Sequence, residues 1–449
     1  MSIASNRVED GGITVANYAA HGEFTSERRE LLPRGWAWRP IRALFTERNE
    51  RDFPELPVLS VSQSRGVIPQ RYADDEIVRS SEDKSMYKRA CPGDLVYNKM
   101  RMWQGAVGVA AEEGIVSPAY IVVRPRAQVC SRFVEYVLKA PRFVVESGRR
   151  SYGLCDDMNS LRYEDFRKIV IPCPPFEIQE LIVRAIDARV ERVDALVIAK
   201  TRQIELLREQ RESLICHVVS KGLDKNVALR TSKTVSLGVI PAHWNIKALM
   251  WLVPAFRQIM YGIVLPGPNV EKGVPIVKGG DVSPDRLRLD LLNKTSFEIE
   301  AGYKRSRLSP GDIVYAIRGS IGMAALIPAE LAGANLTQDA ARIAPKDGID
   351  SRWLLYAMQS ASFFGPLAAK ARGATIRGIN IWDLKRAVVA VPPELEQRAI
   401  AAYLDRETSR LVALARKVQS GIEVLREYRS ALISSTIVGG SEYRLVLGN

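Results

Sequence analysis

Histidine and cysteine are scarce in this 449-residue chain: the histidines are His21, His217 and His243, and the five cysteines are Cys91, Cys130, Cys155, Cys173 and Cys216. The cysteines are odd in number, scattered, and nowhere in a CxxC spacing. The chain is therefore expected to hold reduced structural thiols and no metal site. No apolar run approaches the ~20 residues of a membrane-spanning helix. The first residues lack the basic-then-apolar order of a signal peptide, so a soluble, cytoplasmic protein off the membrane is expected. Acidic residues are in deficit, 51 against 64 Lys+Arg, which leaves a formal charge of +13. That excess favours a polyanionic partner such as nucleic acid.

Catalytic signatures are missing as well. There is no GxxxxGK[ST] phosphate loop, and no Gly-rich cofactor loop joined to an Asn/Asp-Pro-Pro-aromatic motif. Pro174-Pro175-Phe176 follows Cys173, which cannot accept an amino-group hydrogen bond as the polar residue of that motif would. Gly279-Gly280 and Gly319-Ser320-Ile321-Gly322 open no long helix after a strand and read as turns. Carboxylates such as Asp156-Asp157 suggest no nuclease pair. The expectation is a binder with no catalytic residues and no cofactor.

What is present is a repeat. Cys91-Pro92-Gly93-Asp94-Leu95-Val96-Tyr97 returns as Ser309-Pro310-Gly311-Asp312-Ile313-Val314-Tyr315, an offset of 218 residues. Pro174-Pro175-Phe176-Glu177-Ile178-Gln179 returns at the same offset as Pro392-Pro393-Glu394-Leu395-Glu396-Gln397, and Leu207-Arg208-Glu209-Gln210-Arg211 as Leu425-Arg426-Glu427-Tyr428-Arg429. Weaker matches join Gly35-Trp36 to His243-Trp244 and Arg132-Phe133 to Arg352-Trp353. The halves diverge most at 45–90 against 253–308, so each is a similar frame around a dissimilar insert.

Within each frame the pattern is mixed α/β. Leu95–Tyr97, Ala106–Ala110, Tyr120–Val123, Ile313–Tyr315 and Gly322–Ile327 read as short strands, Arg132–Leu138 as a helix, and Ile169–Ile171 as a last strand before a proline pair. From Glu177 a helical period runs without Gly or Pro to about Val219, with Ile182, Ile186, Val193, Leu196, Ile204, Leu207, Leu214 and Val218 on one seam. Some 43 residues at ~1.5 Å each make a rod of about 65 Å. A second helix, from about Glu394 to Val438, carries Ile400, Leu404, Leu411, Leu414, Val418, Ile422, Leu425 and Leu432 on the equivalent seam, with Gly222 and Gly439-Gly440 as stops. Two matched seams predict an antiparallel helix pair, with the polar tract Lys221–Ser236 as a linker.

The order of a Trp-anchored start, a PGD[LI]VY strand, a variable insert, and PPxxxQ opening a long helix that ends in LRExR, all given twice, resembles the specificity subunit of type I restriction-modification systems. The resemblance covers about residues 31–440. It departs from the usual pattern at Cys-Pro-Pro-Phe-Glu-Ile-Gln, where Leu-Pro-Pro…Glu-Gln is common, and residues 1–30 have no match. It implies an N-terminal arm (1–30), target-recognition domain 1 (31–175), spacer helix 1 (176–222), a linker (223–240), target-recognition domain 2 (241–391), spacer helix 2 (392–440) and a tail (441–449). It further implies an antiparallel coiled coil with a pseudo-two-fold, and a bipartite, asymmetric target on double-stranded DNA. The implied partners are two methyltransferase subunits and restriction (translocase-nuclease) subunits. On this reading about four residues inserted at Ser220–Asn226 would lengthen the tolerated spacer.

Base-edge contacts specify and phosphate contacts position. The DNA-binding candidates in the first half are Lys99, Arg101 and Trp103 after the repeated strand, then Arg149, Arg150 and Tyr152. In the second half they are Arg318 and Ser320, then Lys370, Arg372, Thr375, Arg377 and Asn380. The inserts add Arg65, Gln70, Arg71 and Tyr72 in one copy, and Gln258, Tyr261, Lys278 and Asp281 in the other. Two other readings stay open: a stand-alone DNA-binding regulator, and a coiled-coil scaffold for proteins.

Overall fold

A computed structural model describes residues 32–63, 65–70, 84–153, 159–371 and 378–437. The chain divides into two compact units, Met1–Ala199 with Gly421–Asn449, and Lys200–Ser420. Each unit has a four-stranded antiparallel sheet of the same order. In unit 1 it runs Phe45–Arg48, Tyr120–Pro125, Leu95–Asn98, Val107–Val109. In unit 2 it runs Met260–Tyr261, Ala340–Ile343, Ile313–Ala316, Ala324–Leu326. A further antiparallel pair joins the start of each frame to its end, Ala37–Pro40 with Val170–Cys173 and Asn245–Ala248 with Val388–Val391.

The repeated Pro-Gly-Asp sets the first residue of the central strand. Gly93 and Gly311 sit at φ of +89° and +85°, where a side chain would strain the turn. Asp94 and Asp312 are buried, and each carboxylate accepts from a backbone amide three residues back, Cys91 or Ser309, at 2.8 Å. Each also takes a guanidinium from the edge strand or the loop before it, Arg48 or Arg257, at 2.7 Å. A buried carboxylate is tolerable because it is paired and hydrogen-bonded.

The long helices span Phe176–Lys221 and Glu394–Ile437, 46 and 44 residues. Each is tied to its frame by a buried glutamine. Gln179 Oε1 accepts the Cys130 amide at 2.9 Å, and its Nε2 donates to the Pro174 carbonyl at 2.9 Å. Gln397 does the same with the Asp350 amide at 2.9 Å and the Pro392 carbonyl at 3.0 Å. About two turns on, Asp187 accepts from Tyr136 and Arg132, and Asp405 from Tyr356 and Arg352. Within unit 1, Ile182, Ile186 and Val190 share a core with Ile433 and Ile437, and Asp194 pairs with Arg429 at 3.0 Å, so these two helix segments run in opposite directions.

Two details depart from the sequence expectation. Leu196 and Leu414, equivalent positions placed on the apolar seams, are exposed. The other named seam positions are buried or half-buried. The linker is not an open tether: Leu229–Thr231 and Val239–Pro241 form a hairpin, and Val218, Val219 and Ile240 are buried in the core of unit 2. An insertion at Ser220–Asn226 would therefore fall inside unit 2, between the helix end and this hairpin, and not in a spacer between the units. The arm, the tail and the Gly439-Gly440 stop lie outside the described residues.

Replacing Gln397 by Leu is expected to leave the Asp350 amide and Pro392 carbonyl without this partner, at about 1–3 kcal/mol. Thermal unfolding of the Gln397→Leu chain should show a lowered first transition; an unchanged curve would mean the latch contributes nothing.

Candidate nucleic-acid interface

The loops that leave the central strand and its neighbour define the candidate surface in each unit. In unit 2 they enclose a cleft of about 1180 Å³. Lys278, Gly279 and Gly280 enter from the insert, Arg318 and Gly319 from the turn after Ile313–Ala316, Gln338 and Asp339 from the turn before Ala340–Ile343. Lys370, Asn380, Trp382 and Asp383 come from the two helices that follow. The frame fixes these approaches through its backbone. The Asp339 carbonyl accepts the Ile317 and Arg318 amides at 2.9 and 3.1 Å, and the Ile317 carbonyl accepts the Ile379 amide at 2.8 Å. A Cβ on Gly279 would lie 2.6 Å from the Arg318 carbonyl oxygen, so only glycine fits there. Gly279-Gly280 opens a single 3-10 turn, Gly279–Asp281, and Gly279, Gly280 and Gly319 line this cleft.

Four candidates named from the sequence thus come together: Lys278, Arg318, Lys370 and Asn380. Their freedom differs. Arg318 is exposed. Lys370 pairs with Asp383 at 3.3 Å, and Asn380 Oδ1 caps the helix Ile381–Arg386 by accepting the Trp382 amide at 2.8 Å, so its acceptor is already used. Ser320 lies exposed in the Gly319–Gly322 turn. The Asp281 carboxylate accepts the Lys278 amide at 3.0 Å and shapes the backbone there. Gln258 offers its carbonyl to the buried Arg342, and Tyr261 lines a different cleft with Lys304, Arg305 and Lys385. Arg372, Thr375 and Arg377 lie outside the described residues.

Sequence reading missed Gln338, Asp339 and Trp382. Their signal was topological: the first two directly precede the strand that pairs with the repeated one. Trp382 is exposed with the Arg386 guanidinium 3.5 Å from its ring centre, a cationic-aromatic edge on the cleft.

Unit 1 is built alike with other side chains. Lys99 is held by its backbone, its amide on Ala119 and its carbonyl accepting Leu161. Arg101 is exposed at the start of a short turn, and Trp103 is half-exposed with its Nε1 on the Met100 carbonyl at 2.9 Å. Arg149 is exposed at the end of the helix Pro141–Arg149. Arg150 and Tyr152 have partners within the unit. Arg150 pairs with Glu146 at 2.6 Å, and the Tyr152 hydroxyl donates to Asp165 at 3.2 Å while Arg162 covers its ring. Lys168, then the Tyr152 hydroxyl, hold the Asp165 carboxyl below its ordinary range. Arg65 is brought to a groove with Gln104, Asp194 and Arg429, against the long helices. The Gln70 amide bonds the Val58 carbonyl beside the insert hairpin Leu59–Ser62 with Gly66–Pro69. Arg71 and Tyr72 lie outside the described residues. Among the described residues no His, Cys, Asp or Glu group could hold a metal ion, and no helix is long and apolar enough to cross a membrane.

Comparison with known proteins follows the repeated frame. Residues 269–424 match the family model described as the type I restriction modification DNA specificity domain. The chain is 25% identical over 276 residues to the EcoBI specificity subunit of a type I restriction enzyme from Escherichia coli; the match takes in 60% of this chain and 58% of that relative. It is 22% identical to the MjaX specificity subunit of Methanocaldococcus jannaschii, over 87% of this chain and 91% of the relative. A solved chain from a study of assembly and conformational transition of the type I restriction-modification system superposes with a TM-score of 0.68 at 18% identity, over 92% of this chain and 99% of its own. The HsdS subunit from Thermoanaerobacter tengcongensis gives 0.53 at 19% identity, over 91% and 98%. These structures share the fold.

If the cleft meets phosphate, Arg318→Ala should reduce the slope of log K against log salt for duplex DNA by about one, as each lost phosphate contact does. Arg150→Ala, whose side chain is already paired, should change it less. Equal slopes for the two variants would argue against the cleft.

Proposed function

We propose that this chain, which belongs to the family of type I restriction-modification DNA specificity subunits, is a non-catalytic subunit that reads a split DNA site for catalytic partners. The observation that carries this is the doubled frame. The same sheet order, glutamine latch and aspartate clamp recur in both units, while the loops around each candidate surface differ in sequence. Like frames with unlike loops suit a bipartite target with two different halves, one read by residues 31–175 and the other by 241–391. The two long helices form an antiparallel coiled coil on a pseudo-two-fold, which presents the domains to the duplex in opposite polarity and sets the gap between half-sites. Two methyltransferase subunits and restriction (translocase-nuclease) subunits dock on this core, in the cytoplasm. The chain itself carries no cofactor.

The named basic and polar residues divide by chemistry. Lys99, Lys278 and Lys370 suit phosphate, while Arg101, Arg149, Arg318 and Asn380 suit base edges or phosphate, and Trp103 and Trp382 suit stacking or sugar contacts.

The decisive experiment is genome-wide mapping of adenine methylation in cells that express this chain with a cognate methyltransferase subunit. A single split, asymmetric motif that vanishes without the chain is the expected result. Methylation whose motif does not depend on the chain would defeat the reading.

The ruler should lengthen only where an insertion falls in the helices themselves. One matched pair of helical inserts of about seven residues, after Ala199 in the first helix and before Gly421 in the second, is expected to widen the gap and keep both half-sites. Altered half-site bases in that variant would count against the modular arrangement.

A further inference from the structure

Two residues on the floor of the unit 2 cleft do not behave like the rest of its lining. Gln338 and Asp339 are half-buried in the short turn between Asn335–Leu336 and Ala340–Ile343, amid Lys278, Arg318 and Lys370. Despite these cations, Asp339 makes no ion pair with a described residue; its carboxylate meets only the Thr337 hydroxyl, at 3.4 Å. The Gln338 side chain has no partner among the described residues. Their backbone is fixed: the Gln338 amide bonds the Ile263 carbonyl at 3.0 Å, and the Asp339 carbonyl takes two amides from the neighbouring turn.

The equivalent turn in unit 1 is known from strand register. Ala316 pairs with Ala340 as Asn98 pairs with Tyr120, so Pro118 and Ala119 stand where Gln338 and Asp339 stand in unit 2. The Ala119 carbonyl keeps the role of the Asp339 carbonyl by accepting the Lys99 amide at 3.0 Å, whereas Pro118 has no N–H to match that of Gln338. Both polar side chains are missing. The shared frame therefore does not depend on these two side chains, which leaves them available to a ligand.

A carboxylate among cations repels phosphate and accepts hydrogen bonds without donating any. In the major groove its fitting partner is the cytosine N4 amino group; adenine offers an amino group too, but with the N7 acceptor beside it. A glutamine amide both accepts and donates, which fits adenine N6 and N7 together. We infer that Asp339 and Gln338 are specificity-determining residues of unit 2, selecting a cytosine and an adenine in its half-site, while unit 1 lacks any side-chain reading from the equivalent turn. This rests on the reading of the chain as a DNA specificity subunit.

The test is methylation-motif mapping with the wild-type chain and with Asp339→Ala, Asp339→Asn and Gln338→Ala, each in complex with the methyltransferase subunit. Asp339→Ala should lower discrimination for cytosine at one position roughly tenfold or more, and Gln338→Ala should relax one adenine by a similar factor. Asp339→Asn, which keeps size and fold but adds a donor, should shift the same position toward adenine. The other half-site and the gap should not change. If all three variants write the wild-type motif with unaltered preferences, the inference is overturned. Should Asp339→Ala fail to fold, Asp339→Asn decides the matter alone, since an unshifted cytosine preference has the same force. A wild-type chain that directs no motif at all overturns the specificity-subunit reading and this inference with it, and that failure shows before any variant is made.

Discussion

Everything else in the molecule depends on a buried glutamine amide at the root of each long helix. Gln179 and Gln397 are almost wholly inaccessible, and each uses one end of its amide on the backbone that starts a frame helix and the other on the proline pair that ends the frame. A buried amide without partners is costly, and only one orientation of the helix satisfies both ends. The first and last strands of the frame are paired just upstream of that point, so the sheet, the proline pair and the helix are locked in one geometry. The aspartates two turns further on, Asp187 and Asp405, repeat the constraint on the same neighbouring helix.

From that root the frame projects its loops in a fixed direction. Asp94 and Asp312 close the turn before the central strand and hold an arginine from the sheet edge or the loop before it, which frees the far end of the strand to carry variable residues. There the two units part. Unit 1 places Pro118 and Ala119 at this turn, and unit 2 places Gln338 and Asp339; the Ala119 and Asp339 carbonyls accept equivalent amides, from Lys99 and Ile317. The aspartate clamp and the variable turn thus lie at different ends of one strand, and the loops can differ without disturbing the latch.

Much of the frame was legible in the sequence because its interactions are local. Pro-Gly-Asp closes its own turn within three residues, and Pro-Pro-x-x-x-Gln spans the start of one helix, so both leave a motif that a repeat exposes. The seam of each helix was legible for the same reason, except at Leu196 and Leu414, which are exposed. The candidate surface was less legible. Residue type nominated Arg150, Tyr152 and Asp281, but could not tell that each has a partner within its unit, Glu146, Asp165 and the Lys278 amide.

The sequence by itself determined that this protein is two copies of one α/β frame, each leading into a long amphipathic helix, with an excess of positive charge and divergent inserts. Periodicity and short motifs are properties of consecutive residues, and they survive without coordinates. Only the tertiary structure decided which polar side chains stand free together. Gln338 comes within reach of Arg318 and Lys278 because strand pairing and a side-chain-free Gly279 bring three distant turns to one cleft. That meeting depends on hydrogen bonds between segments far apart in the chain, and no local pattern records it.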